Sequence, residues 1–348
     1  MKFSLVFLAM SSLLITVSCG ADESMRPVFE DYTLFEMVSL DNLYENGTPH
    51  FSHVHVEKLF DLEQTTSTSV QSIAVYGDEL FSFHDTNDVI DIYDLKGFYH
   101  KESINLPPTK TTHCNNASFR RYSSATDSRY PFLYLMERGA LHRMLVFKFV
   151  TSEEQLSVVK VQTIDLGTDT TAISYLDPDA DKLYVHYYRK GEPEIRYLSR
   201  FAIPSIEEPA ITLSIKDAEE TVIMKRSEMQ DATIYNGFLF MLQGFANSGQ
   251  LHYDDLNEHS DFFLMDLPKY GLYAEPEGIA VYDNALIVSF YNRSVYRIAF
   301  YNELYSKVNT IPESFSSNHK YIVHKDNTTI ILDNGQLFDS GGKCYRIE

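Results

Sequence analysis

The chain has 348 residues, with 29 Lys and Arg against 49 Asp and Glu, and a formal charge of −20. That acidity excludes broad nucleic-acid binding, which needs clustered basic side chains for the phosphates. A hydrophobic content of 44%, with 24 Tyr and 23 Phe but no Trp, excludes a disordered or collagen-like chain, and three cysteines are too few for a disulfide framework or a four-thiolate zinc site.

Met1-Lys2 precedes an apolar run from Phe3 to Val17, then Ser18-Cys19-Gly20 and the acidic pair Asp22-Glu23. A short basic start, an apolar stretch of this length and small residues at the cut describe a secretory signal. The run falls short of the roughly 20 residues of a membrane span. Thr16-Val17-Ser18-Cys19 resembles a bacterial lipobox, although Thr16 stands where that pattern prefers Leu. On this reading residues 1–18 are a signal peptide, Cys19 carries the lipid, 19–50 form a tether and 51–348 form the folded domain. Acyl chains contribute about 0.8 kcal/mol per buried methylene, which would hold the protein on the outer membrane, facing the periplasm or the cell surface.

The rest of the chain repeats. Gln71–Asp78, Gln230–Gly237 and Glu277–Asn284 each read as an apolar strand ending in Tyr, followed by a turn of Gly, Asn or Asp. Second strands follow at Leu80–Phe83, Phe238–Leu242 and Ala285–Phe290, and third strands at Val89–Leu95, Phe262–Leu267 and Val295–Phe300. Tyr99–Leu106 is a more polar fourth strand. Weaker copies start near Asn115 and Thr170, and a last unit of three strands runs from Tyr321 to Ile347. Repeating four-stranded meanders predict an all-β, six-bladed β-propeller of antiparallel blades. The segment Val54–Leu62 has no blade of its own, and it is expected to close the ring by pairing with Cys344–Ile347. The best helical stretch, Ile215–Met229, reads as a charged loop insertion.

The lipoprotein-like start, the repeated strands around Ile73–Phe81, Thr233–Phe240 and Ile279–Ile287, and His113–Phe119 leading to Tyr130–Tyr134 together resemble the TolB-like six-bladed β-propeller lipoproteins of Bacteroidetes. Glu275-Pro-Glu-Gly-Ile-Ala280 is similar to the start of a blade in NHL-type propellers. The resemblance implies a fold and an envelope location, and no reaction.

In a propeller the first strand of each blade lines the central channel. The polar residues that open these strands, Gln71, Asn115, Thr170, Gln230 and Glu277, are therefore expected to form a ring at one mouth. Such a ring either binds a small polar ligand, a peptide end or a cation, or merely solvates a wet channel. His113-Cys114 lacks further ligands for a metal. Asp177–Asp181 imitates half of a calcium loop but lacks its Gly and closing Glu, and it reads as a turn. Hydrolase elbows, zinc-protease motifs and phosphate loops are missing from the sequence. The expected function is a non-catalytic, monomeric binding or interaction module without cofactor, taking a small ligand or a protein partner and touching the membrane through its lipid. The alternative is a propeller hydrolase or lyase with a Glu277-centred site, assisted by Ca2+.

Overall fold

The computed structural model describes residues 32–346 apart from 64–68, 86–88, 108–112, 121–127, 139–141, 153–154, 168–171, 190, 225–228, 309–320, 326–327, 334–335 and 339–343. Among these, regular structure is β-strand with four short 3-10 turns. The chain divides into two units, Val38–Tyr301 and Met1–Met37 with Asn302–Glu348.

Val38–Tyr301 contains five blades. Blade 1 comprises Val70–Tyr76, Glu79–His84, Val89–Asp94 and Tyr99–Asn105, paired antiparallel in that order. Blade 2 comprises His113–Phe119, Leu133–Arg138, Arg143–Ser152 and Gln155–Asp165, with Ala210–Thr212 added parallel at its outer edge. Blade 3 comprises Ala172–Asp177, Lys182–Arg189, Glu192–Ala202 and Glu220–Met224. Blade 4 comprises Met229–Tyr235, Phe238–Gln243, Gln250–Asp255 and Ser260–Asp266. Blade 5 begins with Pro276–Tyr282, Ala285–Phe290 and the strand that starts at Ser294. The five inner strands neighbour one another in a closed cycle, the last against the first.

Local chemistry explains the meanders. Asn236-Gly237 and Asp283-Asn284 have positive φ at both turn positions, the geometry that matches the twist of the flanking strands. Second strands are buried on both faces because blades stack on either side, so they read as near-continuous apolar runs. The outer strand Tyr99–Asn105 instead alternates exposed and buried residues. Tyr and Phe fill the seams: Phe81, Phe119, Tyr130 and Phe149 from blades 1 and 2 meet edge-on or tilted, with centroids 4.8–6.3 Å apart.

Six blades were expected, and the ring has five. Blade 5 packs directly on blade 1 through Ala280, Ile287 and Val295 against Ile73, Leu80 and Tyr93. This apolar seam leaves no gap for a sixth blade. The N-terminal strand does close the ring, but on a different partner: His53–Asp61 runs antiparallel to Ser294–Tyr301, with Val54 opposite Phe300 and Val56 opposite Ile298. The expected pairing with Cys344–Ile347 does not form. Upstream, Leu40 and Leu43 are fully buried, and Tyr44 stacks on Phe262 at 4.1 Å.

The presumed sixth blade lies in the other unit. There Tyr32–Met37 pairs antiparallel with Tyr321–Lys325, and Thr328–Asp333, Gln336–Phe338 and Cys344–Arg346 follow as a meander. The stretch Ile215–Met229, expected to be a charged loop insertion, is also corrected. Ile215–Asp217 is one 3-10 turn capped by Ser214, and Glu220–Met224 is the outer strand of blade 3. Asp177–Asp181 is the expected turn: Asp177 Oδ1 accepts from the Asp179 and Ala180 amides at 3.0 Å, and Arg120 grips Asp181 through Nε and Nη2.

Candidate functional site

The inner strands begin at what we call the upper mouth of the channel and end at the lower mouth. Four of the five expected ring residues can be placed, and they share a feature that the repeat alone does not reveal. In blade 1 Val70 pairs with His84 and Ser72 with Phe83, so Gln71 is the extra residue of a β-bulge. Asn115, Gln230 and Glu277 are the extra residues of equivalent bulges in blades 2, 4 and 5. A bulge removes one residue from the ladder and re-aims its side chain. Thr170 lies outside the described residues, as does Cys19.

All four are buried: Gln71 is 8% exposed, Asn115 3%, Gln230 8% and Glu277 6%. Gln230 Nε2 donates to Glu275 Oε1 at 2.8 Å and to the Gly244 carbonyl at 3.3 Å. Gln71 Nε2 turns to Ser69 Oγ and the Val70 carbonyl. Glu277 receives no donor among the described residues. Burial first, then the neighbouring carboxylates of Glu275, Asp231 and Asp85, push its carboxyl up to about 9. It is therefore a neutral acid at physiological pH.

The residues next along each strand form a second tier that sequence reasoning missed. Asp231 is completely buried in the channel. Its Oδ1 accepts from Asn116 Nδ2 of blade 2 at 2.7 Å and from its neighbour's amide, Ala232 N, at 2.8 Å. Its Oδ2 accepts from Ser72 Oγ of blade 1 at 2.9 Å and from the Ile279 amide of blade 5 at 3.3 Å. One carboxyl thus ties blades 1, 2 and 5 to blade 4. Burial pushes it well above the usual carboxylate range, against the opposing pull of those donors. Gly278 completes the tier: a Cβ there would come within 2.7 Å of the Ile73 amide nitrogen, so only hydrogen fits. The signal for Asp231 was a lone charge inside an otherwise apolar inner strand.

A cavity opens at the lower mouth. It measures 730 Å³ and is lined by Tyr76, Asp78, Lys96, Phe119, Tyr235, Tyr282 and Asn284, among others. Four of its polar side chains, Asp78, Lys96, Tyr282 and Asn284, are already engaged. Asp78 takes Lys96 Nζ at 2.5 Å and Tyr282 Oη at 2.9 Å, while Asn284 Oδ1 accepts from the Leu40 amide at 3.0 Å. Space and unfilled chemistry therefore lie at opposite ends, and the unfilled chemistry marks the better candidate site.

Blade 1 holds a further polar network. His84 Nε2 lies 2.8 Å from Asp91 Oδ2, Ser82 Oγ approaches the same nitrogen at 3.5 Å, and Ser103 bonds Asp91 Oδ1. An activated serine needs its histidine to bridge serine and carboxylate through two different nitrogens. Here both partners meet Nε2, so the arrangement is a buried structural network. Cys114 is buried in the seam between blades 1 and 2. Among the described residues no group of three or more His, Cys, Asp or Glu is arranged to hold a metal ion, and no helix is long and apolar enough to cross a membrane.

No family model matches the chain, and no curated protein matches it in sequence. Solved structures align with it at low identity. The soluble aldose sugar dehydrogenase of Escherichia coli aligns at 10% identity and TM-score 0.44, over 71% of this chain and 99% of that one. Virginiamycin B lyase of Staphylococcus aureus aligns at 11% and 0.38, over 71% and 100%. Kuenenia stuttgartiensis hydrazine synthase aligns at 13% and 0.36, over 64% of this chain and 61% of its own length. At such identities and scores these are similarities of β-propeller architecture alone.

Proposed function

We propose that this chain is a lipid-anchored binding module of the cell envelope, with a small polar ligand held at the upper mouth of its channel. The reading is carried by the repeated bulge, which sets a buried polar side chain at the same register in four blades around the unpartnered carboxyl of Glu277. A merely wet channel needs no such repeated distortion of its ladders. A thermal-shift screen of polar metabolites tests this. Hits should vanish in Gln230→Ala/Glu277→Ala and persist in Tyr282→Phe at the opposite mouth; the reverse pattern would sink the reading. Anchoring through Cys19 predicts that labelled palmitate is incorporated by the native chain and not by Cys19→Ser.

One observation favours a second reading, a propeller hydrolase or lyase. A carboxyl pushed up to about 9 is a proton donor at neutral pH, as a general acid must be. If Ca2+ assists it, EDTA should lower the melting temperature and added calcium restore it, because a ligand bound only to the native state stabilises by mass action. An unchanged melting curve removes the calcium-assisted form.

A further inference from the structure

The binding reading leaves the class of ligand open, and the hydrogen-bonding capacity left over at the upper mouth narrows it. Three side-chain amide donors there are already used. Gln230 Nε2 serves Glu275 and Gly244, Gln71 Nε2 serves Ser69 and Val70, and Asn116 Nδ2 serves Asp231 and the Ala232 carbonyl. Among the described residues, several acceptors there remain without a partner. Asn115 Oδ1 and Asn116 Oδ1 are buried with nothing donating to them, and the Glu277 carboxyl is 6% exposed with no donor among the described residues. A buried acceptor left unfilled is costly. The charges acting most strongly on Glu277 are three further carboxylates, those of Glu275, Asp231 and Asp85.

The rim adds an independent observation. Phe245, Tyr273 and Tyr291 are 56%, 62% and 57% exposed, among the most exposed large hydrophobic side chains of the described residues. All three lie on loops joined to this site. Phe245 follows Gly244, whose carbonyl holds Gln230; Tyr273 lies two residues before Glu275; and the Tyr291 amide donates to the Glu275 carbonyl at 2.8 Å. Aromatic faces beside buried carboxylates attract organic cations through the ring quadrupole.

We infer that the upper mouth binds a small organic cation, whose ammonium or guanidinium group donates to Glu277 and to Asn115 Oδ1 while its carbon frame meets the aromatic rim. This rests on the channel-binding reading and names its ligand class. Ammonium and guanidinium groups carry three and five donors with no acceptor, the complement of what the mouth lacks. Because Glu277 is neutral when the mouth is empty, pairing with a cation favours its carboxylate and expels a proton to solvent.

The test is calorimetry on the full chain at neutral pH, in two buffers of different ionisation enthalpy. The probes are benzylammonium, neutral benzyl alcohol and anionic benzoate. Benzylammonium should bind about tenfold more tightly than benzyl alcohol, with benzoate weakest. Its binding should release close to one proton, and Glu277→Gln should lose both the preference and the proton release while keeping the native circular dichroism. Equal binding of benzyl alcohol and benzylammonium, abolished by Gln230→Ala, would overturn the cation class and leave channel binding standing. Benzylammonium binding that survives both Gln230→Ala and Glu277→Gln would overturn both. No binding of benzylammonium at millimolar concentration would also overturn the inference.

Discussion

At the lower mouth, 730 Å³ of open space is bordered by Asp78, Lys96, Tyr282 and Asn284, which engage one another or nearby backbone. At the upper mouth Glu277 and Asn115 are more than nine-tenths buried and still lack donors. The two ends are built from the same five strands, and the difference comes from how each strand terminates. The lower ends run into tight turns, where Asn, Asp and Gly fit the backbone and leave short polar side chains within reach of a neighbouring Tyr hydroxyl or Lys. Four of the upper ends carry bulges, each of which pushes one polar residue out of the ladder. Open volume and unmet polar capacity are thus separate properties, and the second is the stronger sign of a ligand.

Four substitutions would break or sharpen this contrast. Asp231→Leu should have the largest effect. It strips the shared acceptor from Ser72, Asn116 and the Ile279 amide, and at about 1–3 kcal/mol for each buried donor left unpaired it should remove about 3–5 kcal/mol in urea unfolding. A loss below about 1 kcal/mol would show that the blades do not depend on this carboxyl. Gly278→Ala should come next, at about 1–3 kcal/mol, because the new methyl meets the Ile73 backbone of blade 1. A neutral result would mean that the seam between blades 5 and 1 yields.

Glu277→Gln should act in the opposite direction, and its effect should depend on pH. The folded carboxyl titrates at about 9, above its unfolded value, so the folded chain binds the extra proton. Below about pH 4.5 both states are protonated and the group is neutral in effect. As pH rises towards about 9, the native chain of the parent protein loses stability relative to the variant. The variant should therefore be more stable by about 4–5 kcal/mol near pH 8 and no more stable near pH 4. A difference independent of pH would place the Glu277 carboxyl in an ordinary, solvated environment. At the lower mouth, Lys96→Met should be the mildest. Its ammonium and its partner carboxylate are solvent-exposed, and such pairs contribute little. A clear drop in melting temperature would contradict the picture of a self-satisfied, non-critical lower mouth.

Much of the blade structure was legible in the chain. Alternating apolar strands, the turns Asn236-Gly237 and Asp283-Asn284, and polar residues at Gln71, Asn115, Gln230 and Glu277 predicted meanders and a polar ring. The Asp177–Asp181 segment read correctly as a turn because its Asp residues satisfy nearby amides locally. Glu220–Met224 was missed because an outer strand with charged alternate residues has too short an apolar pattern to compete with a loop. Asp231 was passed over because its role lies in donors from three other blades, far away in sequence.

Local pattern determined that this chain would form antiparallel meanders with tight turns, since those depend on neighbours along the strand and on φ at single residues. It could not determine how many meanders join the ring. Tyr321–Arg346 carries the same local code as a blade, yet blade 5 closes on blade 1 through Ala280, Ile287 and Val295 before that segment is reached. Ring closure, the choice of Ser294–Tyr301 as partner for His53–Asp61, and the convergence of four blades on Asp231 are decided by apolar area and donors brought together across more than 150 residues. Those contacts exist only once the chain has folded, so tertiary structure alone settles them.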